Sequence, residues 1–193
     1  MVIEVAPERA ASDAEVIARS LRDPTCFFEL FDRHYRSLHR FLCARGVGDA
    51  ADDLAAETFV VAFQRRSRYD GSRAEARAWL FGIAINLARN EARADRRRLR
   101  AVLRLVERPS DPHAGVIDRV AARSLPLAEA LSELSAEERD ALVLHACEGL
   151  SYDEVAEALA VPVGTVRSRL HRARSKVRAR LELHEERGDD DAR

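Results

Sequence analysis

Four times along this chain a serine is followed three residues later by a glutamate: Ser12 and Glu15, Ser72 and Glu75, Ser135 and Glu138, Ser151 and Glu154. In such a capping box the hydroxyl and the carboxylate each satisfy a backbone N–H that the first helical turn leaves without a partner, so each pair predicts a helix start. Asp23-Pro24 predicts another, because a proline in the first helical position gives up a donor the helix does not use. The competing strand pattern is nearly absent: there is little β-branched alternation, and Gly (8) and Pro (6) are scarce. Ala, Leu, Arg and Glu dominate, and all favour helix. The expected fold is all-α, with helices near 12–21, 24–45, 50–67, 73–98, 127–133, 136–147, 152–160 and 163–183.

A chain of 193 residues, 47% of them hydrophobic, can build one ordinary domain or two small ones. Residues 107–115, ERPSDPHAG, gather the Pro, Gly, Ser and Asp of a linker. A flexible connection is therefore expected over 99–124, with a short helix around 99–106. The tail from Glu185, EERGDDDAR, has no apolar anchor and reads as disordered. The organisation that follows is two small helical domains, 1–98 and 125–184, joined by the linker and ending in a tail at 185–193.

Charge is divided unevenly over this map. The whole is nearly neutral, with 32 Lys+Arg against 33 Asp+Glu, yet residues 161–181 hold seven cations and no carboxylate. Residues 128–161, just before, hold nine acids and one Arg, and residues 89–108 hold eight Arg against three acids. Local fields of this kind select partners, and a cationic helix beside an acidic stretch points to a polyanion. Cys26, Cys43 and Cys147 form an odd, scattered set with no CxxC pair, so neither a disulfide framework nor a zinc knuckle is expected. With no secretory leader pattern at the start and no apolar run of spanning length, the expectation is a cytoplasmic protein without membrane insertion.

On a helix, Val166, Leu170, Val177 and Leu181 share one side with Ala173 between them, while Arg167, Ser168, His171, Arg172, Ser175 and Arg178 share the other. The preceding helix offers Val155, Ala156 and Leu159 as a docking surface, and Val161-Pro162-Val163-Gly164 makes the turn, with Pro162 ending the first helix. Helix, short turn and a second helix presenting short polar and cationic side chains is the helix-turn-helix arrangement, whose second helix enters the major groove. Arg and His match guanine acceptors and Ser matches most bases or phosphates, while Arg169, Arg174 and Lys176 lie toward flanking phosphates.

In the first half, Leu80, Ile83, Ala84 and Leu87 make a core stripe, beside which run Trp79, Asn86, Asn90, Arg93 and Arg97. An aromatic, two amides and two cations on one face suit unpaired bases, which stack and hydrogen-bond while Arg tracks the backbone. Asp49, Asp52, Asp53 and Glu57 gather at a helix start, where carboxylates favour the positive dipole end. Asp53 and Glu57, one turn apart, also suit a basic partner helix. His34 and His39, five apart, do not share a face and make a poor metal pair, and no phosphate-cradling loop or nucleophile constellation is present. No enzyme, metal or cofactor is expected.

The segment GLSYDEVAEALAVPVGTVRSRLHRARSKVR, 149–178, resembles the final DNA-binding region of bacterial sigma factors of the extracytoplasmic-function class. FDRHYRSLHRFLCARGVGDAADDLAAETFVVAF is similar to the core-binding part of sigma region two, and RAWLFGIAINLARNEARADRRR to its promoter-melting helix. The resemblance spans about 24–98 and 125–183. It departs at Ala78, where a Thr is common before the Trp, and at His145 and Cys147, where aromatic or basic residues are common.

The resemblance implies a first domain that grips the β′ clamp helices of core RNA polymerase through Asp52, Asp53, Leu54, Glu57, Thr58 and Phe59. That domain would read the minus-ten element of promoter DNA through Tyr69, Trp79, Asn86, Asn90, Arg93 and Arg97, with Asn86 and Tyr69 at a pocket for a flipped base. The second domain would sit at the β flap and read the minus-thirty-five element through Thr165, Arg167, Ser168, Arg169, His171, Arg172, Arg174, Ser175 and Lys176. An anti-sigma factor is the implied inhibitor. Two other classes fit part of the pattern: a helix-turn-helix repressor or activator with an N-terminal sensor, and a pure interaction protein that binds no promoter.

Overall fold

The computed structural model of the chain describes residues 11–73, 75–103 and 125–190. Among them every regular element is helical: α1 (Asp13–Ser20), α2 (Phe28–Arg45), α3 (Ala51–Arg65), α4 (Arg77–Leu103), α5 (Leu125–Ser132), α6 (Ala136–Ala146), α7 (Tyr152–Leu159) and α8 (Val163–Asp190), with short 3-10 turns before α2 and on both sides of α3. Helices α1–α4 form one unit and α5–α8 a second.

Three of the four capping boxes close as expected, at Ser12/Glu15, Ser135/Glu138 and Ser151/Glu154. The fourth does not. Asp70 takes the N–H of Ser72 at 3.0 Å, which holds the chain in a turn, and α4 begins only at Arg77. The cap on its first turn comes from far away in sequence, since Asp13 Oδ2 accepts the buried N–H of Ala76 at 2.9 Å. Asp23 caps the N–H of Thr25 as its place before Pro24 suggests, but Pro24–Phe27 is a 3-10 turn that leads into α2.

Asp13 also binds Arg33 at 3.0 Å and His34 at 2.7 Å, so one carboxylate that is 4% exposed ties α1 to α2 and to the start of α4. Burial opposes its ionisation and is the largest single influence. The His34 contact, the Ala76 N–H and Arg33 together outweigh it and hold the carboxyl down at about 2.

The core of the first unit is laid by Leu30, Leu38, Phe41 and Leu42 of α2, Leu54, Ala55 and Phe59 of α3, and Leu80, Ala84 and Ile85 of α4. Each fully buried Leu or Phe contributes about 1.5–3 kcal/mol relative to exposure. Rings line the α2–α3 seam, with Phe27 edge-on to Phe63 at 5.3 Å and Phe31 against Phe59 at 4.9 Å. Gly46 ends α2 at φ 85°, a left-handed conformation that glycine adopts without a Cβ penalty.

In the second unit Arg139 donates to the carbonyls of Leu131 at 3.0 Å and Ser132 and Leu134 at 3.4 Å, satisfying acceptors that the end of α5 would leave orphaned. Arg180 bridges back from α8 to Glu129 of α5 and to Glu133 just beyond its end. The two units pack directly, α7 on α4 and α6 on α2, and share one continuous core.

Two helices run well past their expected ends. The helix of the first unit continues to Leu103, and α8 continues to Asp190, so the tail from Glu185 is helical that far. Neither extension contains proline, the residue that most strongly stops a helix, so propagation continues from the packed turns before them. The rest of the expected linker, 104–124, lies outside the described residues.

Candidate nucleic-acid and polymerase interfaces

Helix α7 ends at Leu159 and is closed by Ala160, which takes the left-handed conformation at φ 54°. Its N–H and that of Val161 bond to Glu157 and Ala156 at 3.0 Å, a Schellman closure made with alanine in place of glycine. Pro162 therefore does not stop the first helix. It opens the second, its carbonyl accepting from Thr165 at 2.9 Å and Val166 at 3.2 Å. The expected docking surfaces meet: Val155, Ala156 and Leu159 of α7 are buried with Val166, Leu170 and Ala173 of α8, while Val177 and Leu181 are half-buried.

Opposite that stripe, Arg167, Ser168, His171, Arg174, Ser175 and Arg178 are exposed. Ser168 donates to the carbonyl of Thr165 at 2.9 Å, and Thr165 and Arg169 are half-buried. Arg172 separates from this face. It shares the carboxylate of Glu138 with Lys176, at 3.2 and 2.7 Å. Lys176 is the main influence holding the Glu138 carboxyl below its usual range, and burial opposes it. Glu138 thus closes the α6 capping box and anchors two cations of α8, a double duty that its capping spacing alone did not reveal.

On α4, Trp79, Asn86, Asn90, Arg93 and Arg97 do share a face, the last four exposed and Trp79 half-buried. At 1.5 Å per residue the row is about 27 Å long. Trp79 stands at its start with the Tyr69 ring 5.1 Å away, and both rings lean on the core. Tyr69 Oη donates to the carbonyl of Arg73 at 2.9 Å, and burial, with Asp13 nearby, pushes its phenol up to about 12. The buried surface of α4 is wider than the expected stripe: Ala78, Phe81, Ile85 and Ala88 join Leu80, Ile83 and Ala84, because α4 is packed by α2, α3 and α7.

The acidic set divides by exposure. Asp52, Asp53 and Glu57 are exposed on α3, whereas Leu54, Thr58 and Phe59 are buried beneath them and place that surface from inside. Asp52 accepts from Tyr35 Oη at 3.0 Å and pairs with His39 at 3.1 Å. Val60, 54% exposed, extends the row of Asp53 and Glu57 by one turn. The helical interval of seven from Asp53 to Val60 was the available signal for it. Each of His34 and His39 contacts a carboxylate, and no cluster of three or more metal-ligating side chains occurs among the described residues.

Comparison with known proteins finds two matched regions, one in each unit. A family profile described as Sigma-70 region 2 matches residues 30–98, and one described as Sigma-70, region 4 matches residues 124–177. The chain is 35% identical over 157 residues to the ECF RNA polymerase sigma factor SigL of Mycobacterium tuberculosis, covering 79% of this chain and 87% of that protein. It is 36% identical over 156 residues to SigE of Mycolicibacterium smegmatis, where the match covers 79% of this chain and 59% of the relative. The RNA polymerase sigma-H factor of Pseudomonas aeruginosa is 32% identical over 180 residues, with 86% and 91% covered.

Among solved structures, CnrH in complex with the cytosolic domain of CnrY superposes with a TM-score of 0.65 at 27% identity, over 89% of this chain and 97% of that one. The sigma factor RpoE of Bartonella quintana, in complex with the anti-sigma factor NepR, has the same fold at a TM-score of 0.61 and 24% identity, with 81% and 97% covered. The two matched regions, the length of the aligned relatives and the shared fold lead to one assignment: this chain belongs to the sigma-70 family, as an RNA polymerase sigma factor of the extracytoplasmic-function class.

Proposed function

We propose that the chain joins core RNA polymerase in the cytoplasm and directs it to a subset of promoters. Residues 1–98 serve as the polymerase-binding and minus-ten unit, and residues 125–184 as the minus-thirty-five unit. Asp52, Asp53 and Glu57 meet the basic β′ clamp helices, while Leu54, Thr58 and Phe59 keep that surface in place. The exposed face of α8, with Arg167, Ser168, His171, Arg174 and Ser175, enters the major groove; Thr165, Arg169, Arg172 and Lys176 border it toward the phosphates.

On α4, Trp79 with Tyr69 offers an aromatic ledge, and Asn86 and Asn90 offer amides to base edges. Arg93 and Arg97 follow the strand. Extracting a base from the stack costs a few kcal/mol, so these amides act after melting and the upstream helix acts before it. The observation that carries the reading is the presence of two distinct nucleic-acid faces, one suited to duplex and one to single strands, on a chain that also presents an acidic helix. An ordinary repressor needs only the first. The similar sigma factor RpoE is held in complex with the anti-sigma factor NepR, which supports an anti-sigma factor as the inhibitor of this chain.

Run-off transcription tests the function directly. Core polymerase plus this protein is expected to start at discrete sites on its own upstream region or on a promoter library. Initiation no greater than with core alone would overturn the reading.

A further inference from the structure

The seven cations of residues 161–181 do not stand alike on α8. Arg167, Arg174 and Arg178 are exposed and make no ion pair among the described residues, and Arg169 is half-buried. Arg172, Lys176 and Arg180, one helical turn apart on a single row, each meet a carboxylate of the acidic stretch that precedes the helix. Arg180 takes Glu129 and Glu133, while Arg172 and Lys176 share Glu138. The helix therefore carries one row of open cations and one row already matched by acids of its own unit.

Glu138 is the centre of the matched row. Its side chain is 7% exposed, whereas those of Arg172 and Lys176 are 56% and 46% exposed, so the acid lies inside and the two cations border solvent. Oε1 accepts from Arg172 Nε at 3.2 Å and Oε2 from Lys176 Nζ at 2.7 Å. Oε2 also accepts from the Ser135 N–H at 3.1 Å, which fixes the carboxylate at the start of α6. A carboxylate in this position offers the two cations what a DNA phosphate would offer, an anionic oxygen in a charge-assisted hydrogen bond. Arg172 keeps its terminal N–H groups and Lys176 keeps two of its three, so both can still donate to another anion. One negative charge set against two positive ones leaves the group with a single net positive charge.

We infer that Glu138 is an internal counter-anion of the DNA-reading helix, which competes with DNA phosphate for Arg172 and Lys176 and so limits how tightly the second unit holds duplex DNA. The inference rests on the reading of α8 as the minus-thirty-five helix. A cation already bonded to protein gives up one anion to gain another and releases fewer counterions when a phosphate arrives, so it contributes less than an open one. Arg167, Ser168, His171 and Ser175, which face the bases in that reading, make no contact with Glu138. Glu138 therefore acts on phosphate holding for all sequences alike and lowers retention on DNA that lacks the element.

The test joins the full chain to core polymerase. The holoenzyme is titrated over a salt series with a labelled duplex from a promoter found by run-off transcription, and with the same duplex after its upstream element is scrambled. Glu138→Gln keeps an acceptor for the α6 capping box and removes the charge. It is expected to tighten both duplexes about two- to tenfold at low salt, the size of one or two released ion pairs. The salt dependence is expected to steepen by up to about 2 in slope. Glu138→Asp keeps the charge but withdraws it by one methylene, and its affinity is expected between those of Glu138→Gln and wild type. In a chain carrying Arg172→Ala and Lys176→Ala, adding Glu138→Gln is expected to change nothing, because the competition is gone. Circular dichroism checks that each variant stays helical.

A helical Glu138→Gln chain with unchanged or weaker binding would overturn the inference, since a purely structural carboxylate can only lose affinity when replaced. A gain that persists without Arg172 and Lys176, or a Glu138→Asp chain identical to wild type, would also overturn it by marking a through-space charge in place of competition. If the Arg172→Ala, Lys176→Ala chain binds both duplexes as tightly as wild type, this edge of α8 holds no phosphate, and the minus-thirty-five reading of these residues fails together with the inference.

Discussion

Replacing Asp13 is expected to loosen the first unit at the point where α1, α2 and α4 meet. The carboxylate lies 3.0 Å from Arg33, 2.7 Å from His34 and 2.9 Å from the Ala76 N–H. Holding its pKa at about 2 rather than the ordinary 3.8 corresponds to about 2.4 kcal/mol of stability near neutral pH, at 1.36 kcal/mol per unit. Asp13→Ala also strands a buried N–H, a loss of about 1–3 kcal/mol that overlaps the first figure, so a total of about 2–4 kcal/mol is expected. Asp13→Asn keeps a carbonyl acceptor and removes the charge, so about half of that is expected. Urea unfolding followed by the fluorescence of Trp79, the single tryptophan, reads this unit from the first turn of α4.

The pH arm has a definite sign. A carboxylate whose folded pKa is depressed stabilises above its unfolded value and loses that contribution as pH falls through the folded one. The gap between wild type and Asp13→Asn is therefore expected to be full above about pH 4 and to close between about pH 4 and pH 2. An Asp13→Ala protein within 0.5 kcal/mol of wild type at pH 7, or a gap that does not narrow in acid, would refute the argument that this one side chain caps α4 across the fold.

Asp53→Arg with Glu57→Arg is expected to weaken capture by core polymerase at least about tenfold, roughly 1.4 kcal/mol, with helicity unchanged; unaltered pull-down would show a merely solvated face. Arg167→Ala is expected to relax one position of the upstream element by about 1–3 kcal/mol. Arg172→Ala and Lys176→Ala, whose side chains share Glu138, are expected to weaken all sequences alike and flatten the salt dependence, which competition binding over a salt series distinguishes. Asn86→Ala is expected to lower permanganate reactivity of the downstream element and shift its base preference while leaving upstream duplex binding intact; wild-type preference would remove the residue from the site. Ala160→Gly relieves a left-handed Cβ worth about 1–2 kcal/mol and increases unfolded-chain freedom by about 0.4–1, so thermal unfolding is expected to show a net gain of about 0.5–1 kcal/mol.

The elements that could be read from sequence are those whose determinants are local. Ser135 and Glu138 cap α6 within three residues of one another, and the 166/170/173 stripe of α8 docks where its period places it. Ser72 and Glu75 have the same spacing and make no cap, because Asp70 and the distant Asp13 compete for the same stretch of backbone and win. The left-handed Ala160 was equally silent, since the turn is marked in the text by Pro162 and Gly164 while the residue that bears the conformation has no local signature. A spacing rule states which bonds are available; the packed environment decides which are made.

The same division runs through the candidate interfaces. Helical phase alone sorts Arg167, His171 and Ser175 outward, and it aligns Trp79, Asn86, Asn90, Arg93 and Arg97 along α4. It does not separate Arg172 from that outward set, because Glu138 reaches across from another helix and binds it with Lys176 at 3.2 and 2.7 Å. Nor does phase disclose that the acids of residues 128–161 have a destination. In the sequence they are a charge imbalance; in the fold Asp140, Glu148 and Glu157 lie against Arg45, Arg40, Arg77 and Arg73 of the other unit. Near-neutrality belongs to the sequence; what the fold adds is local pairing of its opposite charges across the contact between units. These pairs form at the margin of the apolar core that the two units share, so charge orients a contact that hydrophobic burial also holds.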